Sequence, residues 1–88
     1  MEYEWGEDKR QSNIEKHGWD FAEAHKAWEQ APVVYEYSER KGEERWTGTG
    51  RIDNKTVSIV YQEKEDIRRI ISLRAATEKE RMHHHRQI

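Results

Sequence analysis

Residues 45–62 read Arg45-Trp46-Thr47-Gly48-Thr49-Gly50-Arg51-Ile52-Asp53-Asn54-Lys55-Thr56-Val57-Ser58-Ile59-Val60-Tyr61-Gln62, and their period of two decides the fold. Trp46, Gly48, Gly50 and Ile52 share one face of a strand, while Arg45, Thr47, Thr49 and Arg51 share the other. One face is built for close approach and the other carries donors. Asp53, Asn54 and Lys55 have the composition of a hairpin turn, so residues 56–62 return antiparallel.

Downstream, a charged turn at residues 63–66 leads into a strand over residues 67–73. There the adjacent Ile70 and Ile71 point to opposite faces, which implies burial on both sides and a central position. Thr77 and Glu80 form the S/T-x-x-E capping box of a last helix, about residues 77–87, which carries Lys79, Arg81 and Arg86. Upstream, residues 33–37 read as a strand and residues 38–44 as a charged loop containing Gly42. Pro32 ends a helix opened by Asp20 and Glu23, with Phe21, Ala24, Ala27 and Trp28 on one apolar stripe.

Before it lies a polar helix from Glu7, with Glu7 and Asp8 in its first turn, Lys16 and His17 in its last, and Gly18 to end it. Ile14 is its evident anchor. Met1, Tyr3 and Trp5 alternate with Glu2 and Glu4 as a short opening strand. The order β-α-α-β-β-β-β-α predicts an α+β fold in one domain over residues 1–88, with a largely antiparallel sheet and residues 83–88 as a variable tail.

The core must be small. Of 88 residues, 16 are basic and 18 acidic, and Leu, Ile, Val and Phe number only 13. Four Trp and four Tyr compensate, because aromatic side chains bury roughly 150–250 Å² each. The absence of cysteine excludes a disulfide framework, a thiol nucleophile and a thiolate metal site. No stretch approaches the ~20 apolar residues that span a bilayer, so a soluble cytoplasmic protein without membrane contact is expected. The net charge of −2 conceals polarity: residues 1–44 carry −6, residues 45–66 carry 0 and residues 67–88 carry +4. A basic last quarter is either an electrostatic footprint for a polyanion or a solvated helix face.

Arg74, Lys79, Arg81 and Arg86, with Arg68 and Arg69 before them, gather at the junction of the last strand and helix. Arg74 at the strand end and Arg81 one turn inside the helix can face one place, where guanidiniums bind phosphate bidentately and stabilise phosphoryl-transfer charge. Clustered arginines also bind acidic partner peptides. His17 and His25 are the isolated histidines and candidates for proton transfer; the competing roles are a helix-dipole contact for His17 and a helix-face position for His25. Tyr61 is either a proton donor or stacking platform, or a core tyrosine. His83, His84 and His85 invite a metal reading, but consecutive helical residues lie about 100° apart, and no second ligand set is evident. Gly48-Thr49-Gly50 lacks the surroundings of a phosphate loop.

Taken together, Tyr3-Glu4-Trp5 with Lys9 and Asn13, Lys16-His17-Gly18, Phe21 before Ala24, Arg45-Trp46 followed by Gly50, Val60-Tyr61, Arg69-Ile70-Ile71-Ser72, Arg74-Ala75-Ala76-Thr77 and Glu80-Arg81 resemble the BrnT family of bacterial type II toxins, in the same order over residues 1–82. Gly6, Trp28, Leu73 and the His-rich end depart from that pattern. The resemblance implies a RelE-like endoribonuclease that cleaves RNA without a metal or other cofactor and inhibits translation. It also implies neutralisation by a BrnA-like ribbon-helix-helix antitoxin, with operator DNA reached only through that complex. Carried onto matching positions, Arg45, Arg74 and Arg81 become the phosphate-binding set, with Lys16 and His17 for proton transfer or electrostatic support and Tyr61 and Glu80 behind them. A non-catalytic nucleic-acid or partner-binding module is the alternative, and growth arrest on expression separates the two.

Overall fold

The computed structural model describes residues 1–88 and runs β1 (Glu2–Glu4), α1 (Glu7–His17), a 3-10 turn (Phe21–Glu23), α2 (His25–Gln30), β2 (Val34–Arg40), β3 (Glu43–Ile52), β4 (Lys55–Lys64), β5 (Ile67–Ala75) and α3 (Glu78–Gln87). The five strands form one sheet in the order β1-β5-β4-β3-β2, antiparallel except where β1 lies parallel to β5. It is the α+β arrangement expected from the alternation patterns. No helix is long and apolar enough to cross a membrane.

The glycine-bearing face of β3 is where α2 docks. A Cβ at Gly48 would stand 2.9 Å from Val33 Cγ1 and 3.3 Å from Tyr61, and one at Gly50 would meet Val33 and Ala27 at 3.2 and 3.4 Å. Phe21, Ala24 and Ala27 close over Ile52, Val57, Ile59, Tyr61, Ile70 and Leu73, all essentially buried. Trp5, Trp19, Trp28 and Trp46 pack around the margin of this core. Gly48→Ala is expected to lower the unfolding free energy by ~1–3 kcal/mol through overpacking, against roughly 0.5–1 kcal/mol gained from the stiffer backbone. Urea denaturation measures the difference.

Several expectations need correction. The strand upstream of residue 38 does not give way to a loop; β2 continues to Arg40, and only Lys41 and Gly42, both at positive φ (53° and 79°), make the turn. Two left-handed residues match the twist of the paired strands, so a charged segment that resembles a loop closes as a tight hairpin. Asp53 and Asn54, at φ 49° and 71°, make the second such turn, and Lys55 belongs to β4. The next turn is also shorter than expected, since β4 persists to Lys64.

β4 occupies the centre, and β5 is interior because β1 pairs with its other side at Ile67, Arg68 and Arg69. A bulge intervenes: Val60 faces Ser72 whereas Tyr61 faces Ile70, leaving Ile71 as the extra residue. Ile70 and Leu73 therefore reach the same core. The second helical segment is also divided. Asp20 accepts a hydrogen bond from Ala22 N–H, but Glu23 turns toward Lys26 rather than back to Asp20, and a 3-10 turn precedes α2. Asp20 is gripped by both Nε and a terminal nitrogen of Arg10, each at 2.8 Å.

The anchor of α1 is Asn13 rather than Ile14. Asn13 is 6% exposed, whereas Ile14 is only half-buried. Its amide donates to Trp19 O (2.9 Å) and Leu73 O (2.8 Å), and its carbonyl accepts from Leu73 N–H (3.2 Å). Beyond Arg69, β1 no longer covers the edge of β5. Asn13 thus substitutes there for a neighbouring strand.

Candidate active site

Two helix ends and one turn meet at the edge where β3 passes into β4 and β5 passes into α3. α1 ends at His17 because Gly18 adopts φ 74° and its N–H bonds Ile14 O. α3 begins at a complete capping box, in which Thr77 Oγ1 accepts from Glu80 N–H and Glu80 accepts from Thr77 N–H. Arg81 follows directly. Between them lies a cleft of about 740 Å³ lined by His17, Gly18, Trp19 and Glu23 on one side, the Ile52–Thr56 turn, and Ala75, Ala76 and Arg81 on the other.

The cleft has a one-sided charge balance. Its carboxylates, Glu23 and Asp53, each lie 3.7 Å from the ammonium of Lys26 on α2. Its basic side chains, His17, Lys55 and Arg81, have no carboxylate within ion-pair distance. Asp53 is further fixed by Gln30, which accepts from Asp53 N–H (2.7 Å) and donates to its carboxylate (3.1 Å). Negative charge is thereby drawn toward α2, and three donors are left facing an open cleft. Such an arrangement suits an anion.

The expected site residues divide among four places. His17 and Arg81 share the cleft, with Lys16 exposed beside His17 on the last turn of α1. Arg74 and Glu80 lie across the β5–α3 junction on the opposite sheet face, joined by two hydrogen bonds of 2.7 and 3.0 Å. Arg45 lies on that same face, but four residues along β3 from Thr49, whose row contains Ser58 and Arg74. At about 3.3 Å per residue the separation is ~13 Å. Arg45 Nε is buried without a hydrogen-bond partner, and its terminal nitrogen is 3.6 Å from Glu43.

Tyr61 is not brought to these groups. It points into the core, 3% exposed, with its ring edge-to-face against Trp28 at 5.1 Å. Burial pushes its phenol above the ordinary tyrosine value. The histidine run likewise disperses: His84 is buried with Nε2 2.9 Å from Pro32 O, while His83 and His85 are exposed. No group of three or more His, Cys, Asp or Glu side chains converges as a metal cage. Sequence reasoning passed over Lys55 and Trp19, which line the cleft, and Asn13, which positions α1. The signal for Lys55 was its place beside the turn, and for Asn13 its place in the family pattern; nothing local marked Trp19.

Two carboxylates tie this edge together and make it acid-sensitive. The Arg74 guanidinium, followed by the Thr77 N–H, pulls Glu80 down to about 2. The Arg10 guanidinium, followed by the Ala22 N–H, pulls Asp20 down to about 2. Both folded values lie below the unfolded ones, near 3.9 for Asp and 4.3 for Glu. Their stabilisation is therefore complete above the unfolded values and lost as pH falls from about 4 toward 2. The urea midpoint should drop through that window, and less steeply in Asp20→Asn than in the wild type.

A model of the family described as ribonuclease toxin, BrnT, of type II toxin-antitoxin system matches residues 5–80 of the chain. No curated protein matches it.

Proposed function

The chain belongs to the BrnT family of ribonuclease toxins of type II toxin–antitoxin systems, and from that premise we propose that it cuts RNA in the cleft between α1 and α3. The observation that carries this reading is the meeting of His17 and Arg81, from distant parts of the chain, as basic groups without carboxylate partners. The chemistry is in-line attack by the ribose 2′-oxygen on the adjacent phosphorus. His17 accepts the 2′-OH proton, and the new O–P bond forms as the bond from phosphorus to the 5′-oxygen breaks. The leaving 5′-oxygen takes a proton from solvent, giving a 2′,3′-cyclic phosphate and a 5′-hydroxyl end.

Arg81 binds the non-bridging oxygens and neutralises the charge that grows in the transition state, with Lys16 adding positive potential. None of these steps calls on a metal ion. Arg74, its fork held by Glu80, adds positive potential on the far side of the junction, and Arg45 extends that basic track along the sheet. Tyr61 supports the site through packing. In the cytoplasm such cleavage inhibits translation, and a ribbon-helix-helix antitoxin both neutralises the toxin and brings the complex to operator DNA.

RNA cleavage in EDTA tests the site. The wild type is expected to generate cyclic-phosphate ends and His17→Ala to lose most of that activity. Undiminished cleavage by His17→Ala would sink this placement, and RNA binding with no cleavage by the wild type would favour the non-catalytic module.

A further inference from the structure

Lys55, at the start of β4, and Trp19, just beyond the end of α1, both line the cleft that holds His17 and Arg81. Lys55 Nζ lies 6.0 Å from the centroid of the Trp19 ring and has no carboxylate partner. A cation facing only an aromatic ring at that distance is weakly held, so a phosphate can draw it away. Trp19 is only partly buried and packs at the margin of the core.

Both segments are braced by the fold. The turn before Lys55 has two left-handed residues, Asp53 and Asn54, and is clamped to α2 through Gln30 and Lys26. Trp19 follows the left-handed Gly18, and its carbonyl accepts from Asn13. Ordering a ligand between two braced segments costs less than ordering it between mobile loops. The one acidic group on the turn, Asp53, is drawn toward Lys26 and Gln30, which offsets part of its charge.

We propose that Lys55 and Trp19 form a nucleotide subsite beside the scissile phosphate of single-stranded RNA, Lys55 pairing with the phosphate and the Trp19 ring taking the base. This rests on the reading of the cleft as the cleavage site. A single strand is the occupant because a base paired within a duplex cannot present its face to an aromatic side chain. Stacking of this kind tolerates any base, so the subsite contributes affinity and register more than sequence preference.

Binding of a 2′-O-methyl single-stranded oligonucleotide, which lacks the attacking hydroxyl, isolates the subsite from the reaction. Lys55→Ala is expected to reduce the slope of log Kd against log salt by ~0.7, the value for one phosphate contact on a single strand. Lys55→Arg should restore the slope. Trp19→Leu should weaken binding about tenfold with the slope retained, and Trp19→Phe should recover much of the loss. With cleavable RNA, Lys55→Ala should raise KM more than it lowers kcat. A wild-type slope and KM in Lys55→Ala, alongside lost cleavage in His17→Ala and Arg81→Ala, would overturn the subsite while leaving the cleavage site standing. Wild-type cleavage by His17→Ala and Arg81→Ala would overturn the reading of the cleft and the subsite with it.

Discussion

Arg81→Ala is expected to lower kcat/KM for RNA cleavage by ~100- to 1,000-fold, the range found when one preorganised donor to a developing oxyanion is removed. Arg81 lines the cleft with His17, and no carboxylate pairs with it there. Its charge is thus available to phosphate, whereas the fork of Arg74 is already occupied by Glu80. The substitution should leave the fold intact, because Arg81 is exposed and the capping box belongs to Thr77 and Glu80. Arg81→Lys retains the charge without the bidentate fork and should recover only part of the rate.

Arg74→Ala is expected to behave differently. It frees Glu80, which still accepts from Thr77 N–H but loses the partner that holds it well below the usual carboxylate range. Activity and stability at neutral pH should fall together, and the drop of the urea midpoint with acid should become shallower. Arg45→Ala, ~13 Å along the sheet from the Arg74 row, should affect RNA affinity more than kcat. A single-turnover comparison of the three variants, with circular dichroism to verify folding, gives the order. Equal rates for Arg81→Ala and wild type would remove Arg81 from the reaction.

Asn13→Ala is expected to destabilise the protein by ~3 kcal/mol, because it strands Leu73 N–H, Leu73 O and Trp19 O, and each buried unpaired group costs roughly 1–3 kcal/mol. Partial access of water and relaxation of α1 keep the sum toward the lower end. Leu73 is fully buried, so its backbone groups have little recourse to solvent. Domains of this length are stable by only ~4–13 kcal/mol, and the loss corresponds to about 15 °C in melting temperature. Asn13→Asp should be worse than Asn13→Ala, since a carboxylate in that position would face two carbonyl oxygens. The urea midpoint measures both variants. An Asn13→Ala midpoint equal to wild type would show that β5 does not depend on the amide.

This variant also connects fold with function. His17 lies one helical turn beyond Asn13, and Trp19 is held by the same amide. Loosening α1 from β5 should therefore reduce cleavage even below the denaturation midpoint, as the walls of the cleft separate.

Much of the architecture was written in local patterns. The alternation of Trp46, Gly48, Gly50 and Ile52, the Asp53-Asn54 turn, Gly18 after α1 and the Thr77-Glu80 box each depend on neighbours within a few residues. Period, cap and turn chemistry operate at that range. The β2–β3 hairpin escaped because nearly all of β2 is exposed, so burial imposed no alternation on it. The bulge at Ile71 escaped because register is a property of two strands, and one strand alone does not contain it.

The sequence by itself determined the element order, the basic last quarter, and Arg74, Arg81 and His17 as the groups to watch. Only the tertiary structure decided which of them lie at one place. It put Tyr61 in the core, engaged Arg74 with Glu80, gathered Glu23 and Asp53 about Lys26, and left His17, Lys55 and Arg81 facing the cleft. The physical reason is range. Helix caps and strand faces are fixed by adjacent residues, but whether a charge is paired or free depends on partners supplied by distant segments once the chain has closed upon itself.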